Sequence, residues 1–219
     1  MGVIVDRHST LLYRSTKEDL PKAVACLKDA FADDPLWAAI FKNDPDREKA
    51  LAAFFTFPLL YGMKYGQVWA TSPEIEGIAA WVPGKYAEMT LWRMLCSGAL
   101  SYGTRLGKET RRNLAIISKQ LVPARKRWTR NKRFLYLAII GISSAAQGKG
   151  LGSKIMEAIK EEADRNKLYL YVETEKEENL LFYQKHEFVL WQKIVFEEIN
   201  LPMWLMERRP KTGCLGRLG

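Results

Sequence analysis

The stretch from Phe134 to Glu173 constrains the fold more than any other part of the chain. Phe134–Ile142 is apolar and partly β-branched, with Lys132-Arg133 before it and Ser143-Ser144 after it. It reads as a strand buried on both faces. Gly150–Asn166 places Leu151, Ile155, Met156, Ile159 and Ala163 at the spacing of one helix face. Leu168–Glu173 reads as the next strand. A strand–helix–strand unit of this length makes the two strands parallel across a right-handed crossover, which points to an α/β sheet.

Gln147-Gly148-Lys149-Gly150-Leu151-Gly152 joins the first strand to the helix. Glycines there let the backbone come close to a phosphate. The unpaired N–H groups of the helix start, with the positive end of its dipole, favour an anion. The spacing is G-x-G-x-G, so it is not the dinucleotide fingerprint G-x-G-x-x-G. It also lacks the Gly-Lys-Ser/Thr of a Walker loop.

Around this unit, Leu11–Ser15 reads as a strand. Thr16 with Asp19 reads as a capping box before a helix to Ala30 that lines up Leu20, Val24, Leu27 and Phe31. The acidic turn Asp33-Asp34-Pro35 follows. A second helical region starts at Asp44-Pro45, and Pro58 within it is expected to kink or end it. Gln67–Thr71 and Ile75–Val82 read as a hairpin. A helical insertion spans about 86–127, broken at Gly98, Gly103 and Gly107. Asn179–His186 reads as a short helix, and Phe188–Glu198 and Met203–Glu207 as closing strands. The 219 residues suit a single domain over 1–209, with 210–219 a flexible tail.

Composition narrows the function classes. The most apolar stretch, Leu51–Tyr61, has about half the roughly 20 residues of a spanning helix. The first ten residues lack the apolar core of a secretory signal, and Asp6 stands where a myristoylation motif needs Ser or Thr. A cytoplasmic protein without a membrane partner is expected. Cys26, Cys96 and Cys214 have no metal-ligand spacing, and His8 and His186 do not complete a set, so no metal is expected. The net charge of +9 calls for anionic partners. Arg105 to Arg133 carries eleven basic residues against Glu109 alone, which reads as a solvated helical face or an anion site.

Tyr136–Ile142 followed by Gln147-x-x-Gly150-x-Gly152 resembles the acetyl-CoA-binding motif of the GNAT superfamily of N-acetyltransferases. Leu170–Thr174, Asn179–Phe188 and Met203–Met206 resemble that family's next strand, helix and closing strand. The resemblance implies a mixed, mostly antiparallel α/β (α+β) sheet with splayed central parallel strands, flanked by helices. It also implies acetyl transfer from acetyl-CoA, a co-substrate, to a primary amine by direct attack in a ternary complex. The pyrophosphate would lie on Gln147, Gly148, Lys149, Gly150, Leu151 and Gly152. Pantetheine would run beside the backbone of Ile140 and Ile142 and touch Asn179. Tyr183 would protonate the leaving thiolate, and Glu173, at the strand end, would take the amine proton. His186 reads as a packing or surface residue. Glu187 departs from the family's usual Gly, which puts the end of that helix in question.

The acceptor, a small-molecule amine or a protein amino group, would meet Asp33-Asp34, the segment around Trp37, the hairpin near Trp81, and Glu173. Two other readings compete. One is a nucleic-acid-associated protein using the basic segment 123–133 with Trp128, the weaker partner assignment for want of a recognition motif. The other is a non-catalytic acetyl-CoA sensor. Oligomeric state is left open, with a homodimer compatible.

Overall fold

Capping chemistry opens the first helical region. The Thr16 amide and hydroxyl both donate to the Asp19 carboxylate, at 2.8 and 3.1 Å. A 3-10 turn over Lys17–Asp19 then leads into α1 (Leu20–Ala30). The computed structural model describes residues 12–41, 46–99 and 106–211. Gly103, Cys214 and 212–219 of the expected tail lie outside them.

A further helix, α2 (Pro35–Ile40), follows the acidic turn and was not expected from periodicity. Its signal is short: Asp34 caps it by accepting from the Leu36 amide at 2.9 Å, and Pro35 occupies the first turn. α3 (Arg47–Tyr65) continues past Pro58 rather than ending there. Its residues from Ala53 to Gly62 are largely buried, and that burial outweighs the hydrogen bond the proline removes. The expected insertion holds α4 (Leu91–Ser97), ended by Gly98 at φ +78°, and α5 (Lys108–Thr129), started by Gly107. Helix α5 thus reaches two residues beyond the expected boundary at 127.

Seven strands form one sheet: β1 (Tyr13–Arg14), β2 (Gln67–Ala70), β3 (Gly77–Pro83), β4 (Phe134–Ile142), β5 (Tyr169–Thr174), β6 (Val189–Phe196) and β7 (Leu201–Arg208). Their order is β1-β2-β3-β4-β5-β7-β6. Every pair is antiparallel except β4–β5. Helix α6 (Leu151–Arg165) makes the parallel crossover, and α7 (Glu178–Lys185) follows β5.

The parallel pair is short. It joins Phe134, Leu135 and Tyr136 to Tyr169, Leu170 and Tyr171, and nothing beyond. Past that point β4 stays with β3 as far as Ile142↔Gly77, and β5 stays with β7 as far as Thr174↔Trp204. Two central strands that keep their outer partners but lose each other open a wedge. A register shift at Ala80/Trp81 leaves Ala138 of β4 unpaired, and a bulge of this kind bends its strand. The bulge also resets the alternation: Tyr136, Ala138 and Ile139 all pack against the same core, and Ile140 and Ile142 against the other.

One face of the sheet packs on α1, α2, α3 and α5 through Leu27, Trp37, Phe55, Leu121 and Tyr171. The other packs on α6 and α7 through Ile155, Ile159, Tyr183 and Phe188. The departure at Glu187 does not displace the end of α7: Glu187 itself takes the left-handed region, at φ +70°. The Phe188 amide donates to the Tyr183 carbonyl and the Glu187 amide to that of Gln184, a Schellman arrangement. Glu187 tolerates the position because Arg208 and Lys211 hold its carboxylate at 2.9 and 2.6 Å.

Candidate active site

The glycine-rich loop sits at the start of α6, on the solvent side of the wedge. Gly148 and Gly150 both take left-handed backbone, at φ +75° and +77°, and no other atom lies near the side chain either could carry. Their role is conformational: they supply left-handed backbone at a helix start where no side chain supplies a cap. Gln147, Gly148, Lys149 and Gly150 are exposed. Gly152 is different, since a Cβ there would meet the Phe182 ring at 3.4 Å. The loop is braced from two sides. The Gln147 side-chain amide donates to the Ile142 carbonyl and its backbone N–H to that of Ser143, both at 3.1 Å, and Asp29 of α1 accepts from the Ser144 amide and hydroxyl at 2.6 and 3.0 Å. An uncapped, positively polarised helix start fits a pyrophosphate.

From this loop a groove runs along the end of β4 past Ile140, Gly141 and Ile142 to Asn179 and Tyr183. The structure brings these expected cofactor residues together along one line. Asn179 donates to the Thr174 hydroxyl at 2.9 Å, which fixes its amide across the wedge.

A second cavity, of about 540 Å³, lies on the far side of the wedge among α2, α3, α4 and α5. Groove and chamber meet at Phe31, Ile140, Glu175, Asn179 and Tyr183, which line both. Tyr183 is buried, and burial followed by the nearby Glu175 charge pushes its hydroxyl well above the ordinary phenol value. It is a phenol that keeps its proton, at the junction of the two spaces.

Glu173 lines the chamber and not the groove. Both its oxygens are engaged: Arg125 Nε and Nη2 donate at 2.8 and 2.7 Å, and Tyr136 Oη donates at 3.0 Å. The Arg125 guanidinium also stacks 4.6 Å from the Tyr136 ring centre. A buried bidentate pair of this geometry holds the carboxylate in place.

Glu175, two residues on, sits at the junction beside the buried Asp34 carboxyl. Burial, then the Asp34 charge, raises Glu175 well above the usual carboxylate range. Asp34 is raised too, by burial, while its contacts with Glu175 and the Leu36 amide oppose the rise. Two neighbouring carboxyls that cannot both ionise easily hold a proton between them. The sequence reading placed Asp34 near the acceptor and overlooked Glu175, because nothing in the strand-end run Glu173-Thr174-Glu175 says which carboxylate an arginine on a distant helix will take.

Trp81 does not reach the chamber. Strand alternation turns it to the α6 face, where its indole N–H donates to Glu162 at 2.9 Å. Trp37 does line the chamber. His186 is a packing residue, buried between Glu157 and the Ser153 hydroxyl at 3.1 Å each. Trp128 is not available to stack on a base: it is buried against Tyr171 at 4.4 Å between ring centres and donates to Glu207. Of the basic segment around it, Arg125 is committed to Glu173 and Lys132 to Glu207. Among the described residues no group of three His, Cys, Asp or Glu side chains could hold a metal ion, and no helix is long and apolar enough to cross a membrane.

This arrangement has relatives. A family model for the acetyltransferase (GNAT) domain matches residues 115–190. The chain is 30% identical over 210 residues to an N-acetyltransferase of Schizosaccharomyces pombe described as uncharacterized, covering 91% of this chain and 83% of that one. Two solved structures share the fold. A histone acetyltransferase HPA2 and related acetyltransferase from Corynebacterium glutamicum has a TM-score of 0.61 at 19% identity, over 93% of this chain and 98% of that one. The polyamine N-acetyltransferase of Drosophila melanogaster, which forms N-acetylagmatine, also scores 0.61 at 12% identity, over 91% and 99%. The splayed sheet, the loop at its helix start and this extent of similarity place the chain in the GNAT acetyltransferase family.

Proposed function

We propose that the protein moves an acetyl group from acetyl-CoA to a primary amine by direct attack within a ternary complex. One observation carries the reading: the groove from the glycine loop and the separate chamber are adjacent and share Tyr183, Asn179 and Glu175 in their walls. Acetyl-CoA enters from the loop side, with its pyrophosphate on the amides of 148–152, since that of Gln147 is spent on Ser143, and its arm beside Ile140, Ile142 and Asn179. The amine enters from the chamber. Holding both in one wedge supplies much of the acceleration. We take 1–209 as one catalytic unit, with the helices of 86–127 building the acceptor side.

The amine nitrogen forms the new N–C bond, and the C–S bond breaks with its electron pair on sulfur. Tyr183 gives its proton to that sulfur and is reprotonated from solvent. The surplus proton on nitrogen needs an acceptor. The sequence reading assigns it to Glu173, whose oxygens are spent on Arg125 and Tyr136. We therefore give Glu173 the role of positioning Arg125 and Tyr136 in the wall, and give the proton to the Glu175–Asp34 pair. Below its raised pKa the pair already holds a proton; as pH rises through that value it becomes doubly ionised and can take the proton of the amine.

Calorimetric titration with acetyl-CoA tests the cofactor assignment, beside Gly150→Glu. That variant strains a left-handed position and sets a carboxylate against the pyrophosphate. Binding by the wild type and a loss of about 100-fold or more in the variant are expected. Absence of binding by folded wild type would refute the reading. Tyr183→Phe separates enzyme from sensor: acetyl-CoA should still bind while turnover falls about 100- to 10,000-fold.

A further inference from the structure

The acceptor chamber carries information that the cofactor groove does not. Among its described lining residues the charged side chains are Arg125, Glu173 and Glu175. Arg125 and Glu173 neutralise each other in a bidentate pair, with side chains 14% and 7% exposed. That leaves one uncompensated acidic centre, Glu175 with Asp34 behind it, and it lies at the junction with the groove. Away from the junction the wall is apolar: Trp37, Phe54, Phe57, Leu114, Ile117 and Met203. Trp37 and Phe54 are packed ring to ring at 4.7 Å between centres.

We infer that the acceptor is a hydrophobic monoamine: one primary amino group on a short linker, bearing an aromatic or branched apolar body. The inference rests on the acetyl-transfer reading and specifies its substrate. The amino group meets Glu175 at the junction, and the body fills the chamber. A space of about 540 Å³ falls within the roughly 300–1,000 Å³ of pockets that enclose a whole small molecule. A polyamine or a guanidino-amine carries a second cation. In this chamber that cation would be stripped of water with no carboxylate to meet it, a costly burial. The chamber therefore selects against the substrate class of the Drosophila polyamine enzyme despite the shared fold. A lysine side chain of a protein presents a slim arm that leaves most of the apolar wall without a partner.

The test measures thiol release from acetyl-CoA with 2-phenylethylamine and tryptamine, against agmatine, spermidine and a lysine-containing peptide. The aryl amines should exceed agmatine in kcat/KM by roughly 100-fold or more. A preference for agmatine, spermidine or the peptide would overturn the inference while leaving acetyl transfer intact. Thiol release with none of them, in a protein that binds acetyl-CoA, would remove the enzymatic reading and this one with it. Ser118→Asp supplies a second readout that does not endanger the fold, because Ser118 is exposed on α5 yet borders the chamber. A carboxylate there gives a second cation its partner. The ratio of agmatine to tryptamine kcat/KM should rise at least about tenfold, with acetyl-CoA affinity unchanged. An unmoved ratio would count against the chamber as the acceptor site.

Discussion

The two halves of the candidate site are built from different materials. The pyrophosphate half is backbone: four consecutive exposed residues, Gln147 to Gly150, with two left-handed glycines at a helix start. The acceptor half is side chain, drawn from α2, α3, α4, α5, β4 and β5 and closed by a buried ion pair between residues 48 positions apart. A backbone site needs only the right conformations, which a short motif can specify. A side-chain site needs distant residues to arrive together, so its chemistry is dispersed along the chain. This contrast is why the first half can be read from a short run of sequence and the second cannot.

Three experiments would sharpen or break that contrast. The largest effect belongs to the side-chain half. Arg125→Ala leaves Glu173 charged and buried without its partner, and should cost about 3–5 kcal/mol in denaturant unfolding. Replacing the pair together, as Arg125→Met with Glu173→Leu, should cost less than either single change. If Arg125→Ala costs under about 1 kcal/mol, the pair behaves like a surface bridge and does not hold the chamber together.

Next comes Glu175→Gln. Turnover should fall about 100-fold. The pH profile gives the sign: in the wild type kcat/KM rises with pH through the elevated carboxyl pKa, as the shared proton leaves and the pair can accept another. The variant should lose that rising limb. Should Glu173→Gln remove the limb instead, proton acceptance returns to Glu173.

The smallest effect belongs to the backbone half. Gly150→Ala meets no neighbouring atom, so only left-handed strain opposes it, about 1–2 kcal/mol. Acetyl-CoA affinity should drop roughly 5- to 30-fold with the amine preference unaltered. A changed preference between amines would mean that the two halves are not separable.

The elements were legible wherever the local pattern was strong. The strand, loop, helix and strand from Phe134 to Thr174 fall within a residue or two of their expected bounds. So does the Thr16–Asp19 box that leads into α1. Helix α2 was harder because six residues carry too little periodicity, and only Asp34-Pro35 marks its start. Pro58 does not end its helix, for the opposite reason: burial around it outweighs a local breaker. Trp81 read as an acceptor aromatic until strand alternation, counted within the whole sheet, placed it on the other face. Trp128 in its basic run looked exposed, yet the sheet buries it beside Tyr171.

By itself the sequence determined the order of strands and helices apart from α2, the glycine loop at a helix start and the presence of Tyr183 and Asn179 on one short helix. These depend on periodicity, on glycine's access to left-handed backbone, and on spacing within a few turns. Tertiary structure alone decided that β4 and β5 part after Tyr136, that Arg125 takes Glu173 and leaves Glu175 at the junction, and that the acceptor chamber is apolar with one acidic end. Those outcomes turn on which distant side chains share a buried space. Burial, charge pairing and competition for partners are properties of neighbours in three dimensions, and local spacing does not record them.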